Sequence, residues 1–263
     1  MNASASATVG TATPIAGASR ARAWRRLSGM VLLLFAHVPL HYLWRAFGAR
    51  SPWPRSYLRL AGWAAGADVR IVGHVLARDV LIVANHISCL DILIIAGGTG
   101  ARFVSKAEVG RWPFVGWLAG MNRTIYVSRT ERGRVQEQAE ALREAIGDRQ
   151  PVALFPEGGT GDGRALGPFR ASLLAAMVPP PPGVRLQPMV IDYGAEMPIV
   201  AWSDDKNIGR ETMRLLAMPG RRKVTLRFLD PIDPLALPDR KLLATAARTA
   251  MAEALGEGAA SRV

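Results

Sequence analysis

The sequence predicts an α/β fold in which a central mixed sheet is flanked by helices and preceded by a helical membrane-anchoring segment. From residue 68 onward, short apolar runs alternate with segments of helical periodicity, which is the pattern of an α/β sheet. The first quarter of the chain differs, because it is apolar and basic and contains no acidic residue before Asp68. With 263 residues, of which 49% are hydrophobic, the chain is long enough for one core with an appendage.

Residues 1–19 and 20–66 are the first two predicted regions, a disordered tail and a pair of membrane-anchoring helices. The tail is small, polar and without periodicity. The run from Leu27 to Trp44 is apolar apart from two histidines and is just long enough to enter a bilayer. Pro39 is expected to break this run, which suits an interfacial or re-entrant segment, and residues 55–66 predict a second helix. A buried helix of a soluble protein is the alternative, whereas a secretory signal is disfavoured because no small-residue cleavage site precedes Arg45.

The charge of the chain indicates an anionic partner. Lys and Arg outnumber Asp and Glu by 33 to 21, which gives a formal net charge of +12. Nucleic acid is one candidate, but the arginines of the first quarter flank apolar and aromatic runs instead of lining a polar helix. We therefore expect membrane lipids as partners and no nucleic acid.

Residues 67–263 form the third region, the α/β domain. Apolar runs predict strands at residues 68–73, 79–85, 124–129, 151–158, 185–193 and 223–230. Val135, Ala139, Leu142 and Ile146 recur at helical spacing, and Gly147 closes that helix. In such a sheet the polar site lies at the carboxyl ends of strands, so the residues that follow the apolar runs are the candidates for function.

The first polar cluster, Asn85 to Asp91, follows the strand predicted at residues 79–85. His86 and Asp91 are five residues apart, or about 140° around a helix, so they meet only if His86 precedes a helix that contains Asp91. An aspartate that accepts from one imidazole nitrogen leaves the other one basic and ready to take a proton from a hydroxyl. The cluster predicts a catalytic base with its orienting carboxylate, and a polar junction without a catalytic role is the alternative.

No nucleophile of the protein's own is expected beside this pair. Cys89 is the single cysteine, and a free cysteine is more often a small buried hydrophobe than a nucleophile. Ser88 is typical of a helix cap. One cysteine excludes an internal disulfide, and four histidines without clustered spacing do not predict zinc. We expect no metal and no cofactor, and we expect the nucleophile to belong to the substrate.

A second polar cluster, "LFPEGGTGDG" from Leu154 to Gly163, also follows an apolar run. Its glycines allow a sharp turn that brings backbone N–H groups against a ligand, and Glu157 is expected to accept from a hydroxyl or to orient a cation. Two polar strand ends in one α/β sheet usually converge on one pocket. The sequence therefore predicts that Glu157 and His86 share a site, with a simple turn as the alternative.

These motifs resemble those of the glycerolipid acyltransferases, whose best-known members are the 1-acylglycerol-3-phosphate acyltransferases. The resemblance covers about residues 60–230 and rests on four blocks in the family's order, here Asn85-His86 to Asp91, "RTIYVSR" ending at Arg129, Phe155 to Gly158, and Gln187-Pro188. The segment Phe103 to Leu118, with Lys106, also resembles the stretch between the first two blocks. Two positions depart from the family pattern and leave the acceptor open: Arg123 stands where the second block often begins with Gly, and Gly159 stands where the third usually has Thr.

The resemblance implies an O-acyltransferase that moves a fatty acyl group from an acyl-carrier protein or coenzyme A thioester to the free hydroxyl of a lysophospholipid. With 1-acylglycerol-3-phosphate as acceptor, the product would be phosphatidic acid. His86, held by Asp91, would take the hydroxyl proton, and donors near Gly158 would stabilise the oxyanion. Arg129, with Lys106 as a weaker candidate, would hold the anionic headgroup.

Other assignments remain open at this point. Arg164 and Arg170 compete with Arg129 for the headgroup. The third block also resembles enzymes that acylate lyso-ornithine lipid, and a hydrolase and a non-catalytic lipid-binding protein are further alternatives. The basic, apolar amino terminus implies a position on the cytoplasmic face of the inner membrane.

Overall fold

The computed structural model describes residues 17–127, 135–163, 165–202, 207–237 and 239–260. Within these ranges, seven strands form one sheet in the order β1-β7-β6-β2-β5-β3-β4. The strands are β1 (Ala67–Val72), β2 (Val80–Ala84), β3 (Arg102–Lys106), β4 (Ile125–Val127), β5 (Val152–Leu154), β6 (Arg185–Asp192) and β7 (Arg222–Phe228). All neighbours pair in parallel except β6 and β7, which are antiparallel, so the predicted mixed sheet is confirmed.

Helices cover both faces of the sheet in the described part of the chain. They are α1 (Arg20–Ala46), α2 (Trp53–Ala65), α3 (Leu90–Thr99), α4 (Ala107–Gly110), α5 (Pro113–Met121), α6 (Val135–Gly147), α7 (Met197–Val200), α8 (Ile208–Ala217) and α9 (Arg240–Ala260), with 3₁₀ turns at Ala171–Met177, Gly194–Glu196 and Pro234–Ala236. Strand β2 alternates between the two cores, because Ile82 packs with α1, α2, α3 and α8 while Leu81 and Val83 pack with α6 and α9. Helices on both faces of the sheet therefore fix the positions of the carboxyl ends of its buried strands.

The six predicted strands are present, and β3 is a seventh that the sequence pattern does not predict. Its sequence, "RFVSK", begins and ends with a charged residue, which obscures its short apolar centre. Arg102 is nevertheless buried, because its guanidinium donates to the carbonyl of Ala145 and lies 3.4 Å from an oxygen of Asp148. Tertiary contacts therefore place this arginine in a strand.

The expectation that Pro39 breaks the first apolar run is wrong, because α1 continues through it from Arg20 to Ala46. Leu34 and His41 are buried on either side of Pro39. Packing before and after the proline offsets the loss of one helical hydrogen bond. The second helix, α2, is present and ends at Gly66 in a left-handed conformation.

The amino-terminal helices pack against the α/β domain. Leu34 of α1 and Tyr57 and Leu58 of α2 belong to the same core as α3 and α8. The N–H of Ser19 donates to the carbonyl of Ala217 at 3.0 Å, so the last residues of the predicted tail contact the domain. Residues 1–16 of that tail lie outside the described residues.

The outer side of α1 is apolar and exposed. Leu32, Phe35, Leu43, Trp44 and Phe47 are exposed along it and just beyond its end. By length and composition, α1 is long and apolar enough to cross a membrane. An exposed apolar surface of this size on a helix is typical of a membrane or protein contact.

Candidate active site

The carboxyl ends of three parallel strands bring predicted site residues to one edge of the sheet. His86 follows β2, Glu157 follows β5, and Lys106 ends β3. The register pairs Val83 with Leu154, so β2 and β5 end at nearly the same level. His86 and Glu157 are in contact, as the two polar clusters predicted, because the His86 N–H lies 3.3 Å from Oε1 of Glu157.

The contact that the sequence spacing predicts between His86 and Asp91 is confirmed. The Nδ1 atom of His86 lies 2.9 Å from Oδ2 of Asp91. Helix α3 begins at Leu90, so the histidine precedes the helix and the aspartate lies in its first turn. The strand-to-helix junction therefore supplies the geometry that a continuous helix lacks.

The carboxylate of Asp91 has 0% exposed surface, yet each of its oxygens is hydrogen-bonded. Oδ2 accepts from the N–H groups of Ile87 at 2.7 Å and Ser88 at 2.9 Å as well as from His86. Oδ1 accepts from the hydroxyl of Tyr193 at 2.8 Å. These donors stabilise a buried negative charge without an arginine or lysine at hydrogen-bonding distance among the described residues.

The second ring nitrogen of His86 is available for chemistry. Because Asp91 only accepts, Nδ1 carries the proton and Nε2 keeps its lone pair. Nε2 makes no hydrogen bond within the described part of the chain, and the side chain is 16% exposed. Phe155 stacks on the imidazole with ring centroids 3.9 Å apart and planes 7° apart, and Phe103 stacks on Phe155. Packing and the Asp91 bond together fix the direction of Nε2.

Glu157 joins the loop after β2 to the loop after β5. Its Oε1 accepts from the His86 N–H, and its Oε2 accepts from the Gly167 N–H at 2.8 Å. The N–H of Gly161 donates in turn to the carbonyl of His86 at 2.8 Å. Burial raises the pKa of Glu157, although its two backbone hydrogen bonds act in the opposite direction. In this structure Glu157 positions the His86 backbone, and its predicted contact with substrate stays a prediction.

Tyr193 is a site residue that the sequence analysis missed. It lies just after β6, at the same edge as His86, and is fully buried. Burial and then the charge of Asp91 raise its pKa well above the ordinary value, so the phenol stays neutral and donates. A tyrosine at the end of an apolar run was the available signal, since a buried hydroxyl needs a partner.

Asn85 and Ser88 serve the local fold. Asn85 extends the pairing of β2 with β6, because its amide donates to the carbonyl of Ile191 at 3.0 Å and accepts from the Ile191 N–H at 2.7 Å. The Ser88 hydroxyl accepts from the Leu90 N–H at 3.0 Å, but the N-cap position of α3 is Cys89, one residue after the predicted cap.

Cys89 does not have the properties of a nucleophile. Burial raises the pKa of its thiol to about 11, and its Sγ lies 3.7 Å from the hydroxyl of Thr212. A thiol with such a pKa is protonated at neutral pH. Across the described ranges, no group of three or more His, Cys, Asp or Glu side chains is placed to hold a metal ion.

The other residues that the sequence analysis predicts to bind substrate lie in different surroundings. Lys106 is exposed at the end of β3, and Gly158 is buried with φ of 83°, a conformation that favours glycine. Arg170 is exposed, and its N–H donates to the carbonyl of Pro156 at 2.8 Å. Arg129 and Arg164 lie outside the described residues.

Arg123 and Gln187 lie away from His86. Arg123 precedes β4, so it lies at the amino edge of the parallel strands, where it pairs with Asp148. Gln187 is fully buried, and its amide donates to the carbonyls of His74 at 2.7 Å and Leu229 at 3.1 Å. The last of the four blocks therefore holds the loops that follow β1 and β7.

Known proteins resemble this chain over the region that contains both polar clusters. The family model described as Acyltransferase matches residues 68–192, which include both polar clusters. The lyso-ornithine lipid O-acyltransferase of Rhizobium meliloti is 32% identical over 219 residues, which cover 78% of this chain and 75% of the relative. The chain belongs to the acyltransferase family.

Two further proteins extend the comparison of this acyltransferase. The 1-acyl-sn-glycerol-3-phosphate acyltransferase of Neisseria meningitidis is 30% identical over 137 residues, 52% of this chain and 49% of the relative. The crystal structure of the 1-acyl-sn-glycerophosphate acyltransferase PlsC from Thermotoga maritima superposes with a TM-score of 0.61 at 23% identity, covering 90% of this chain and 97% of that one. That likeness shows the shared fold. Together with the apolar helix α1, the membership indicates an acyltransferase associated with membranes.

Proposed function

We propose that this acyltransferase moves a fatty acyl group from a thioester to the free hydroxyl of a lysolipid, with His86 as the general base. The observation that carries the proposal is the geometry of the dyad. Asp91 fixes Nδ1 of His86 at 2.9 Å, and the ring is stacked on Phe155, while Nε2 has no partner among the described residues. A base held in this way suits proton abstraction from a bound hydroxyl.

The chemical step requires no covalent enzyme intermediate. Nε2 of His86 takes the hydroxyl proton while the hydroxyl oxygen attacks the thioester carbonyl carbon. The tetrahedral intermediate collapses, the C–S bond breaks, and the leaving thiolate receives the proton from the imidazolium. Asp91 stabilises the imidazolium between these two transfers. The thioester already activates the acyl group, so the proposed reaction needs no metal or cofactor.

An apolar cavity beside the dyad suits an acyl chain. It has a volume of about 160 Å³ and lies between α1, α2, α3 and α5. Ile92, which follows Asp91, and Phe103, which stacks on Phe155, both line it. A chain that occupies this cavity would have its carbonyl end near His86.

We propose lyso-ornithine lipid as the acceptor. The relative of that name matches over three quarters of its own length, whereas the 1-acylglycerol-3-phosphate acyltransferase matches over about half of its length. The four sequence blocks resemble those of the 1-acylglycerol-3-phosphate acyltransferases, so 1-acylglycerol-3-phosphate is the second candidate acceptor. In either case an anionic headgroup would suit Arg129 and Lys106, because a carboxylate and a phosphate both accept charge-assisted hydrogen bonds.

We also propose that α1 lies in the cytoplasmic face of the inner membrane instead of crossing it. Its inner side packs on the domain at Ala23, Leu34 and His41, so most of its length follows the protein surface. A crossing helix would lose this packing or draw the domain into the bilayer. The cytoplasmic face is also where acyl-carrier protein and coenzyme A thioesters meet the membrane.

Purified full-length protein with a labelled acyl thioester tests the proposal. Lyso-ornithine lipid, 1-acylglycerol-3-phosphate and no acceptor form the three arms, and the products are identified. We expect acylated lysolipid, a rate loss of at least about 100-fold in His86→Ala, and a large loss in Asp91→Asn from a misoriented ring. Acyl release without acceptor would identify a hydrolase, and lipid binding without turnover would identify a binding protein.

A further inference from the structure

A second cavity, open to solvent and about 660 Å³ in volume, lies at the edge of the sheet opposite His86. The end of α1, the start of α2 and the turns before β4 and β5 form its walls. The length of β3 separates this edge from the dyad edge by roughly 13 Å. We call it the arginine cavity, because five of its lining residues are Arg45, Arg50, Arg55, Arg123 and Arg149.

The positive charge around the arginine cavity exceeds the negative charge. Asp148 contacts three guanidinium groups, those of Arg50, Arg102 and Arg123. Partial burial opposes ionisation of this carboxyl, but the Arg123 hydrogen bond and the three positive charges lower the pKa of Asp148. Arg45 and Arg149 form no ion pair within the described ranges.

Arg102 adds a buried positive charge behind Asp148. Its side chain is only 5% exposed, and its Nε has no hydrogen-bond partner among the residues that the structure describes. A buried guanidinium is costly unless it is fully paired. The carboxylate of Asp148 is shared with two further arginines, so it compensates the charge of Arg102 only in part. An additional anion would therefore be stabilised in this region.

Two of the cavity arginines occupy strained backbone positions. Arg123 has φ of 60° and Arg149 has φ of 61°, in the left-handed region where glycine is favoured. Such a conformation costs a non-glycine residue on the order of 1 kcal/mol. The chain accepts this strain at two separate turns that line one cavity. Arg123 also stands where the second block of the resembled family often begins with glycine, so this chain carries a guanidinium at that position.

We propose that the arginine cavity binds the phosphate of an anionic phospholipid that is not the substrate. The cavity adjoins apolar surface: Phe47, beside its wall, is 80% exposed, and the ring nitrogen of Trp117 lies 3.1 Å from the hydroxyl of Tyr42 on α1. It also shares His41 and Met121 with the apolar cavity near the dyad. A phosphate attached to acyl chains meets charge and apolar surface at once, whereas a soluble anion meets only charge.

The proposal rests on the proposed attachment of α1 to a membrane and does not depend on the chemistry at His86. Bound lipid would hold the α1–α2 turn at the headgroup level, since Arg45, Arg50 and Arg55 belong to that turn and its flanking helix ends. The site would thus give the enzyme a preference for anionic membranes that is independent of its acceptor.

Titration of detergent-solubilised full-length protein with short-chain lipid tests the site. Dihexanoylphosphatidylglycerol is the anionic probe and dihexanoylphosphatidylcholine the zwitterionic one, with binding followed by phosphorus NMR. We expect the anionic lipid to bind at least tenfold more tightly, and Arg123→Gly/Arg149→Gly to weaken its binding at least tenfold. Glycine suits both φ values, so these turns should keep their shape. Arg149→Gly alone, which breaks no described ion pair, should weaken binding without lowering Tm.

The control is Arg240→Ala, which removes one exposed charge from α9 on the other face of the sheet. Unchanged affinity in both glycine variants, or an equal loss in Arg240→Ala, would overturn the proposal. Equally tight binding of inorganic phosphate would assign the cavity to free phosphate, and tighter binding of coenzyme A would assign it to the acyl donor. No thioester or lysolipid is present in this assay, so its failure is distinct from failure of the proposed acyl transfer.

Discussion

Replacing Tyr193 with phenylalanine would remove one hydrogen-bond donor from the buried carboxylate of Asp91 and change little else. The hydroxyl lies 2.8 Å from Oδ1, and both residues are inaccessible to solvent. A hydrogen bond to a charged group contributes about 1.5–3 kcal/mol, and its loss here leaves Oδ1 without a described donor. For a chain of this size, a loss of about 2 kcal/mol lowers Tm by about 4–8 °C.

The same substitution should alter catalysis through His86. Oδ2 of Asp91 keeps its bonds to the imidazole and to two backbone N–H groups, so the ring remains oriented. Without the tyrosine, the carboxylate carries less compensated charge and stabilises the imidazolium more strongly. The rate at neutral pH should fall less than in Asp91→Asn.

Thermal unfolding in detergent and the rate of acyl transfer at neutral pH measure the two effects. Tyr126→Phe is the matched control, because its hydroxyl donates to the neutral carbonyl of Gly116 at 3.3 Å in a partly buried position. That variant should lose less than about 1.5 kcal/mol of stability and keep the wild-type rate of acyl transfer. If Tyr193→Phe has the same Tm and the same rate of acyl transfer as the wild type, Tyr193 does not support the dyad.

Three further changes test other parts of the molecule. Burial raises the pKa of Glu157, so the folded protein binds that proton more tightly than the unfolded chain does. Stability is therefore lost as pH rises from the ordinary carboxyl range through the raised pKa. Glu157→Gln should remove this part of the slope of Tm against pH, and an unchanged slope would contradict the prediction. Arg129→Ala should raise the acceptor KM and leave the donor KM unchanged in steady-state assays, whereas an equal loss for both would indicate a structural role. The double variant Phe35→Ser/Phe47→Ser changes two exposed positions on the α1 side. Because burial of each side chain contributes about 1.5–3 kcal/mol, vesicle binding measured by flotation should weaken at least about 100-fold. Unchanged flotation would place the membrane contact elsewhere.

The part of the site that sequence predicted is the part that local geometry determines. The five-residue spacing of His86 and Asp91 admits a contact only at a strand-to-helix junction, and the apolar run before His86 predicts that junction. The pairing of His86 with Glu157 followed from a general property of parallel sheets, whose strand ends share an edge.

The missing partner of Asp91 depended on long-range contacts. Tyr193 lies 102 residues from Asp91 in the chain, and its hydroxyl reaches the carboxylate only because β6 pairs with β2. The role of Glu157 was also hidden, since the sequence cannot show that both its oxygens are occupied by backbone N–H groups. For residues 20–66, charge and hydrophobicity predicted membrane-anchoring helices but not the packing that continues α1 past Pro39.

Different loops build the two edges of the sheet, so a change at one edge need not alter the other. Strands β1 and β7 run opposite to the other strands, so the loop after β1 lies at the edge of the sheet opposite His86. There Ala77, in that loop, lines the arginine cavity. The loops after β2 and β5 build the dyad edge. A change confined to the β1 loop or to the turns before β4 and β5 would therefore alter the proposed phospholipid site and leave the His86–Asp91 pair in place.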